Sequence, residues 1–210
     1  MLLPEFLKDR YKDWINNVFP DSREIYKSAS SKIQKPKAMI ISCCDSRVHS
    51  AHIFKSQIGE IFEHKNIANL VPSLELDKYQ YGTISAIDYA TKILKIPNII
   101  ILGHSDCGGI KHAYEIFSKE KPIENSNIDK WINIVKPAFE ILDKKLSKED
   151  CLRSLEKLSI KNSIENLNKF PDINEMLRKN KINIYGLWFE IASGKLMSFD
   201  RKKNNFENIS

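Results

Sequence analysis

Two short stretches of the chain hold the residue types that could perform chemistry. In Gly103-His104-Ser105-Asp106-Cys107-Gly108-Gly109 an imidazole and a thiol stand three residues apart, and three of the chain's seven glycines crowd around them. In Met39-Ile40-Ile41-Ser42-Cys43-Cys44-Asp45-Ser46-Arg47 a thiol is followed by a carboxylate and a guanidinium. Zinc takes Cys and His ligands in tetrahedral geometry, and a catalytic zinc keeps one of its four positions open for water. Cys43, His104 and Cys107 would supply the other three. An isolated H-x-x-C is a weak signal, since a buried cysteine is most often a small apolar residue. Here the apolar run before it and the glycine pair after it raise the metal reading above that. Gly108 and Gly109 would let backbone N–H groups at a helix start approach an anion beside the metal. Asp45 and Arg47, two residues apart, share a side of an extended segment, where a charge-assisted pair would fix the carboxylate. At a surface such a pair contributes only about 0–1 kcal/mol. Next to a thiolate ligand its orienting effect is the stronger reading.

Each motif closes an apolar run, and that is what would position it. Residues 38–43 read as the first core strand and 97–102 as another, so the ligands sit where strands end, the usual address of a site in open α/β folds. Residues 59–64 read as a further strand, left by a loop over 66–72. Residues 82–94 carry Ile84, Ile87, Ala90, Ile93 and Leu94 at helical spacing, which implies a crossover helix and hence a parallel sheet. Helices are expected over 108–117, over 127–145 with an interruption at Pro137, and over 148–168, ended by Phe170-Pro171. Residues 181–190 are β-prone, and Ser193-Gly194 reads as a hairpin turn into 195–199. Before the core, residues 1–33 read as a helical arm of two helices separated at Phe19-Pro20-Asp21, with Asp21 or Ser22 as N-cap. The fold class is α/β: a short, mostly parallel sheet with an antiparallel C-terminal strand, flanked by helices. The core spans 38–200, and 201–210 reads as a polar, mobile tail.

At 210 residues, 42% hydrophobic and 29% charged, the chain has room for one full-sized core, and no linker or repeat suggests a second domain. Met1-Leu2-Leu3-Pro4-Glu5 lacks the basic and apolar regions of a signal peptide, so cytoplasmic residence is expected. Cys43, Cys44, Cys107 and Cys151 without an export signal point to thiols and metal rather than disulfides. The net charge of +6 is scattered among Asp and Glu, which argues against nucleic acid, and no membrane partner is expected.

Cys43-x-Asp45-x-Arg47 followed by His104-x-x-Cys107-Gly108-Gly109 resembles the β-class carbonic anhydrases. Gln34-Lys35-Pro36-Lys37, Asn66-Ile67-Ala68-Asn69-Leu70-Val71-Pro72, the helix around Tyr89 and Gly186-Leu187-Trp188-Phe189 are similar to the plant-type branch, so the resemblance covers nearly the whole chain. It implies reversible hydration of carbon dioxide to bicarbonate and a proton at one zinc ion per subunit. Cys43, His104 and Cys107 would be the permanent ligands. Asp45 would accept a hydrogen bond from the zinc-bound water, with Arg47 fixing it, or become the fourth ligand in closed forms. Gln34, Phe62, Ile67 and Tyr89 match the residues that line the substrate pocket, with Gly108 beside them. The resemblance also implies self-association as a dimer or an assembly of dimers, with the N-terminal helices reaching over a neighbour.

Three departures from the pattern carry expectations. Lys65 stands where the family usually has Arg, which puts any bidentate contact there in doubt. Ser50 replaces a common Pro and is expected to loosen the loop after Arg47. Ile40 stands where the bicarbonate-inhibited branch has Trp, so a separate bicarbonate site is not expected. His49, His52, His64 and His112 are candidates for carrying protons to solvent. Two rival functions remain open at this point. One is a related zinc hydrolase acting on carbon disulfide or carbonyl sulfide; the other is a non-enzymatic zinc or redox thiol protein, which would need neither Asp45 nor Arg47.

Overall fold

The computed structural model describes residues 3–31, 33–74 and 81–209. Its centre is a six-stranded sheet in the order β2-β1-β3-β4-β5-β6. The strands are β1 (Ala38–Cys43), β2 (Ile61–Asn66), β3 (Asn98–His104), β4 (Asn183–Phe189), β5 (Leu196–Asp200) and β6 (Asn205–Asn208). β2, β1, β3 and β4 run parallel; β5 pairs antiparallel with β4, and β6 antiparallel with β5. The near-continuous Ile and Leu content of β1 and β3 suits strands covered on both faces.

The register sets the site. Ser42 of β1 lies beside Leu102 of β3, and Cys43 beside Asn66 of β2. Cys43 and His104 therefore leave the sheet together, at the carboxyl ends of adjacent parallel strands.

The helices are α1 (Glu5–Asp13), α2 (Phe19–Ser30), α3 (Ser50–Ile53), α4 (Tyr81–Asp88), α5 (Gly108–Phe117), α6 (Asn127–Ile132), α7 (Lys136–Glu140), α8 (Lys148–Lys169) and α9 (Pro171–Arg178). α8 starts at Ser147, whose hydroxyl accepts the Asp150 N–H. It lies directly on the sheet, and Gly103 permits this: a Cβ there would stand 2.7 Å from Ile160 Cδ1.

Several boundaries differ from the sequence reading. The arm does not break at residues 19–21: α1 runs through a π turn at Trp14–Val18 into α2, which begins at Phe19 without a side-chain cap. Pro20 stands in the first turn of α2, directly after the π turn. The helix expected over 82–94 is α4 followed by a π turn at Tyr89–Ile93. Pro137 does interrupt the 127–145 region, where a 3₁₀ turn at Asn133–Val135 separates α6 from α7.

The largest correction lies at the C-terminus, where a second strand follows the single antiparallel one expected. The segment read as a polar tail turns at 201–204 and returns as β6, with Phe206 5% exposed and its ring 5.3 Å from that of Phe199. One buried phenylalanine and a ladder of backbone hydrogen bonds hold this edge, although its other residues are polar and exposed.

Candidate metal centre

Cys43, His104 and Cys107 converge: their ligand atoms all lie within 4.8 Å of one another, and all three residues are buried. The two sulfurs are 3.9 Å apart. Two thiolates on one tetrahedral zinc, each at about 2.3 Å, would be roughly 3.8 Å apart, so the sulfurs are already near that spacing.

His104 supplies the sharpest test of fit. Its Nδ1 lies 2.8 Å from the Ser105 carbonyl oxygen, which can only accept, so Nδ1 carries the proton and Nε2 the lone pair. That Nε2 is fully buried and has no hydrogen-bond partner among the described residues. An unmade bond at a buried polar atom costs about 1–3 kcal/mol. A cation between the imidazole and the two sulfurs removes the penalty, and the backbone carbonyl on the far nitrogen is the usual means of fixing a ligand tautomer. The donor set therefore fits zinc.

The sulfurs behave as a pair. Hydrogen bonding from the Cys107 thiol holds Cys43 well below the usual thiol range, against the opposing effect of burial, while that same contact and burial push Cys107 up. Binding a cation there would release the Cys107 proton. The Ala68 N–H also points at Cys43 Sγ, at 3.3 Å. It does so because Ala68 and Asn69 adopt left-handed conformations (φ 64° and 50°), each costing a non-glycine residue on the order of 1 kcal/mol. The Asn66 side chain braces this turn at both ends, accepting the Leu70 N–H and donating to the Leu70 carbonyl.

Cys107 is the N-cap of α5, and the helix behind it packs on the Ile67–Ala68 turn. Contact is possible only because residue 109 is glycine: a Cβ there would lie 2.7 Å from Ile67 Cγ2 and 3.1 Å from Ala68 Cβ. Gly109 thus serves close packing, whereas the space above Gly108 is open. Gly109→Ala is expected to push the turn away from Cys43, destabilising the protein by about 1–3 kcal/mol in urea unfolding. An unchanged midpoint would count against this packing role.

Asp45 sits at the edge of the cluster in the grip of Arg47. The guanidinium donates from Nε to Oδ1 (2.9 Å) and from Nη2 to Oδ2 (2.7 Å), and the Arg47 backbone N–H adds a third bond to Oδ1 (2.9 Å). This donation holds the Asp45 carboxyl far below its usual range, so it is ionised and can only accept. Its Oδ2 lies 4.0 Å from His104 Nε2. Three ligand atoms converge, and the carboxylate stands beside them with both oxygens committed to Arg47.

The carbonic anhydrase family model matches residues 38–196. Among curated proteins, the chain is 34% identical over 194 residues to beta carbonic anhydrase 3 of Arabidopsis thaliana, covering 90% of this chain and 74% of that one. The chain belongs to the β-class carbonic anhydrase family. It is also 30% identical over 197 residues to a carbonic anhydrase of Helicobacter pylori, covering 92% of this chain and 89% of the relative. The fold agrees with solved structures: the β-carbonic anhydrase CcaA superposes with a TM-score of 0.89 at 23% identity over 98% of this chain and 92% of that one. A tetrameric β-carbonic anhydrase of Sordaria macrospora gives 0.79 at 24% identity over 92% and 95%.

Within this carbonic anhydrase chain the expected pocket residues divide. Ile67, 40% exposed, and Gly108 stand beside the ligands. Phe62 and Tyr89 stack on each other, ring centroids 6.0 Å apart, but at the other end of the sheet. Phe62 pairs with Met39, four residues before Cys43, which separates it from the ligand by roughly 13 Å of strand. Gln34 is exposed in a cleft with Ile25 and Ile33 of the arm region and Ile58. One chain thus assembles the candidate metal ligands and Asp45–Arg47, but does not bring Gln34, Phe62 and Tyr89 to them.

The departures from the family pattern also have structural outcomes. Lys65 Nζ donates to the Val48 carbonyl at 2.7 Å and so holds the loop after Arg47. Ser50 does not loosen that loop: it is buried, and its hydroxyl donates to the Glu63 carboxylate. His49 and His52 line an open cleft with Arg47 and Phe189, His64 is bonded to Thr83, and His112 to Asp129. None of these four belongs to the ligand cluster.

Sequence reasoning missed the contribution of α8. Glu156 reaches the site from behind, its Oε1 accepting the Cys107 N–H at 3.3 Å and its Oε2 the Trp188 indole N–H at 3.1 Å. The available signal was its place on the helix face that carries Leu155 and Ile160, where a carboxylate needs a reason.

Proposed function

We propose that this chain hydrates carbon dioxide reversibly to bicarbonate and a proton at one zinc ion held by Cys43, His104 and Cys107. The observation that carries the reading is the buried, unpartnered His104 Nε2 facing two sulfurs 3.9 Å apart. Zinc bound there supplies a water-derived nucleophile near neutral pH and a positive charge for the developing anion. The chain's own part is orientation. Asp45, kept ionised, accepts a hydrogen bond from the nucleophile and so fixes where its reactive lone pair points. Arg47 keeps Asp45 in place, and its Nη2 bond to the Asp106 carbonyl (3.1 Å) ties that carboxylate to the turn bearing His104 and Cys107. Carbon dioxide is small and apolar, so Ile67, Phe62 and Tyr89 suit its pocket, with Gln34 as a donor to one oxygen.

The separation of Phe62, Tyr89 and Gln34 from the ligands supports a site completed between two copies of the chain. The arm favours the same reading, because neither α1 nor α2 buries a residue, and Phe6, Tyr11, Val18, Ile25 and Ile33 are exposed. Such an apolar surface is what a neighbouring subunit would cover. A dimer or an assembly of dimers is expected in light scattering, and a strictly monomeric, fully active preparation would remove this part of the reading. The whole chain would act as a single domain of the family. No helix among the described residues is long and apolar enough to cross a membrane. Four free cysteines suit a reducing compartment, and we place the protein in the cytoplasm.

Two thiolates and the Asp45 carboxylate would put three negative charges near a doubly charged cation held there. The acidity lent to a water molecule is therefore weaker than in a site of three neutral histidines. The hydration rate is expected to climb from neutral to mildly alkaline pH in stopped-flow assays, and a profile flat from acid to alkaline conditions would contradict the charge argument. The same preparation, assayed for zinc per chain and side by side on carbon dioxide and carbon disulfide, tests the function itself. Faster turnover of the disulfide would favour the hydrolase reading. The bidentate Asp45–Arg47 pair argues against a purely structural or redox thiol site, which has no use for it.

A further inference from the structure

The turn between the two proposed ligands on β3 and α5 is held from outside at both of its residues, Ser105 and Asp106. Ser105 N–H donates to the Phe189 carbonyl (2.9 Å), and the Ile191 N–H donates to Ser105 Oγ (2.9 Å). Asp106 is left-handed (φ 57°), a conformation that a non-glycine residue keeps only when its surroundings impose it. The surroundings are two arginines. Arg47 Nη2 donates to the Asp106 carbonyl at 3.1 Å, and Arg153 Nη2 pairs with Asp106 Oδ1 at 3.0 Å.

One turn further along α8, Glu156 is 4% exposed, and its oxygens accept from Cys107 N–H and Trp188 Nε1–H, with Arg153 Nη1 3.6 Å from Oε1. Burying a carboxylate is costly unless its partners are fixed and complementary. Here one partner is the backbone of a metal ligand, which a hydrocarbon side chain could not hold.

We propose that Arg153 and Glu156 are positioning residues for the metal centre. Glu156 holds the Cys107 backbone and Arg153 holds Asp106, so that the turn presents His104 Nε2 and Cys107 Sγ at the spacing a cation needs. The inference rests on the zinc reading above. Partners of this kind, one bond removed from a metal, alter affinity because they set the ligand geometry before the metal arrives.

The full chain carrying Glu156→Gln or Arg153→Gln tests this, with three readouts: zinc affinity by chelator competition, the absorption spectrum of the cobalt-substituted protein, and thermal unfolding. A glutamine at 156 keeps one acceptor but turns an N–H towards the other donor, so one of the two bonds is lost. Zinc affinity is expected to fall roughly 10- to 100-fold in Glu156→Gln and about tenfold in Arg153→Gln. The thiolate-to-cobalt bands should shift in both. A merely structural role would lower the melting temperature and leave the cobalt spectrum and zinc affinity at wild-type values; that result in folded variants overturns the positioning role and leaves the zinc reading intact. Should Glu156→Gln fail to fold, Arg153→Gln, whose side chain is 28% exposed, decides by the same criteria. A wild type that takes up neither ion ends both readings.

Discussion

Cys107→Ser is expected to lose zinc and, with it, carbon dioxide hydration by a factor on the order of a thousand or more. Serine replaces a soft thiolate with a hydroxyl that is a poor zinc ligand at neutral pH, leaving one sulfur and one imidazole, which is too few to retain the ion against buffer and water. A metal that polarises substrate and generates the nucleophile contributes several kcal/mol to transition-state stabilisation, and about 4 kcal/mol corresponds to a thousandfold in rate. The substitution separates chemistry from folding. Residue 107 is the N-cap of α5, and serine is among the favoured N-cap residues, so the helix start should be kept or improved. A serine hydroxyl can also donate to Cys43 Sγ as the thiol does. Metal analysis should therefore find little zinc in a chain whose circular dichroism and melting remain close to wild type. A serine variant that holds one zinc per chain and hydrates carbon dioxide at the wild-type rate would sink the ligand assignment.

The convergence of Cys43, His104 and Cys107 was legible in the sequence because the first two each close a strand whose apolar run is itself legible. Once β1 and β3 are adjacent and parallel, Cys43 and His104 must emerge together, and a turn of two residues, Ser105 and Asp106, carries Cys107 back towards both. Asp45 and Arg47 were readable for a similar reason, since their pairing is local and needs no knowledge of the fold. What sequence could not give is contact across long separations by residues of the wrong polarity. Glu156 lies 49 positions beyond Cys107, on a helix whose buried face also carries Ser159, Asn162, Ser163 and Asn166, so its periodicity does not separate core from surface. Three of those polar residues serve long-range roles too: Asn162 donates to the Ile134 carbonyl, Ser163 accepts the Val71 N–H, and Asn166 donates to the Val71 carbonyl.

β6 was illegible for the opposite reason. It is an edge strand whose alternation reduces to one phenylalanine among exposed polar residues, and such residues are what keep an edge from pairing with another chain. The pocket residues show a third kind of limit. Phe62 and Tyr89 do pack together, as a shared role requires, yet roughly 13 Å of strand separates Phe62 from Cys43, and no reading of one chain's sequence shows where a second copy would place that pair. The resemblance named the residues without giving their place relative to Cys43, His104 and Cys107.

Asp45→Asn is expected to separate catalysis from metal binding, retaining zinc while hydration falls about 100-fold or more. The three ligand atoms that converge on one another do not include the carboxylate, so its loss would leave the proposed ligand set whole. Arg47 makes the substitution severe. It now donates to both carboxylate oxygens, and an asparagine must turn its NH₂ towards either Nη2 or Nε, placing two donors face to face. The amide will swing away or its oxygen will be drawn fully to Arg47, and in either case the acceptor that fixes the nucleophile is gone. The charge is lost as well. Asp45 is anionic throughout the neutral range because Arg47 depresses its pKa, so the wild type offers an acceptor at every working pH and the variant at none. Raising the pH therefore should not rescue the variant, whereas it should speed the wild type. Zinc analysis and stopped-flow hydration on the same preparation measure both quantities. Undiminished hydration would remove Asp45 from the mechanism; loss of zinc together with rate would instead make the carboxylate a fourth ligand, with Arg47 setting how far it must travel to reach the ion.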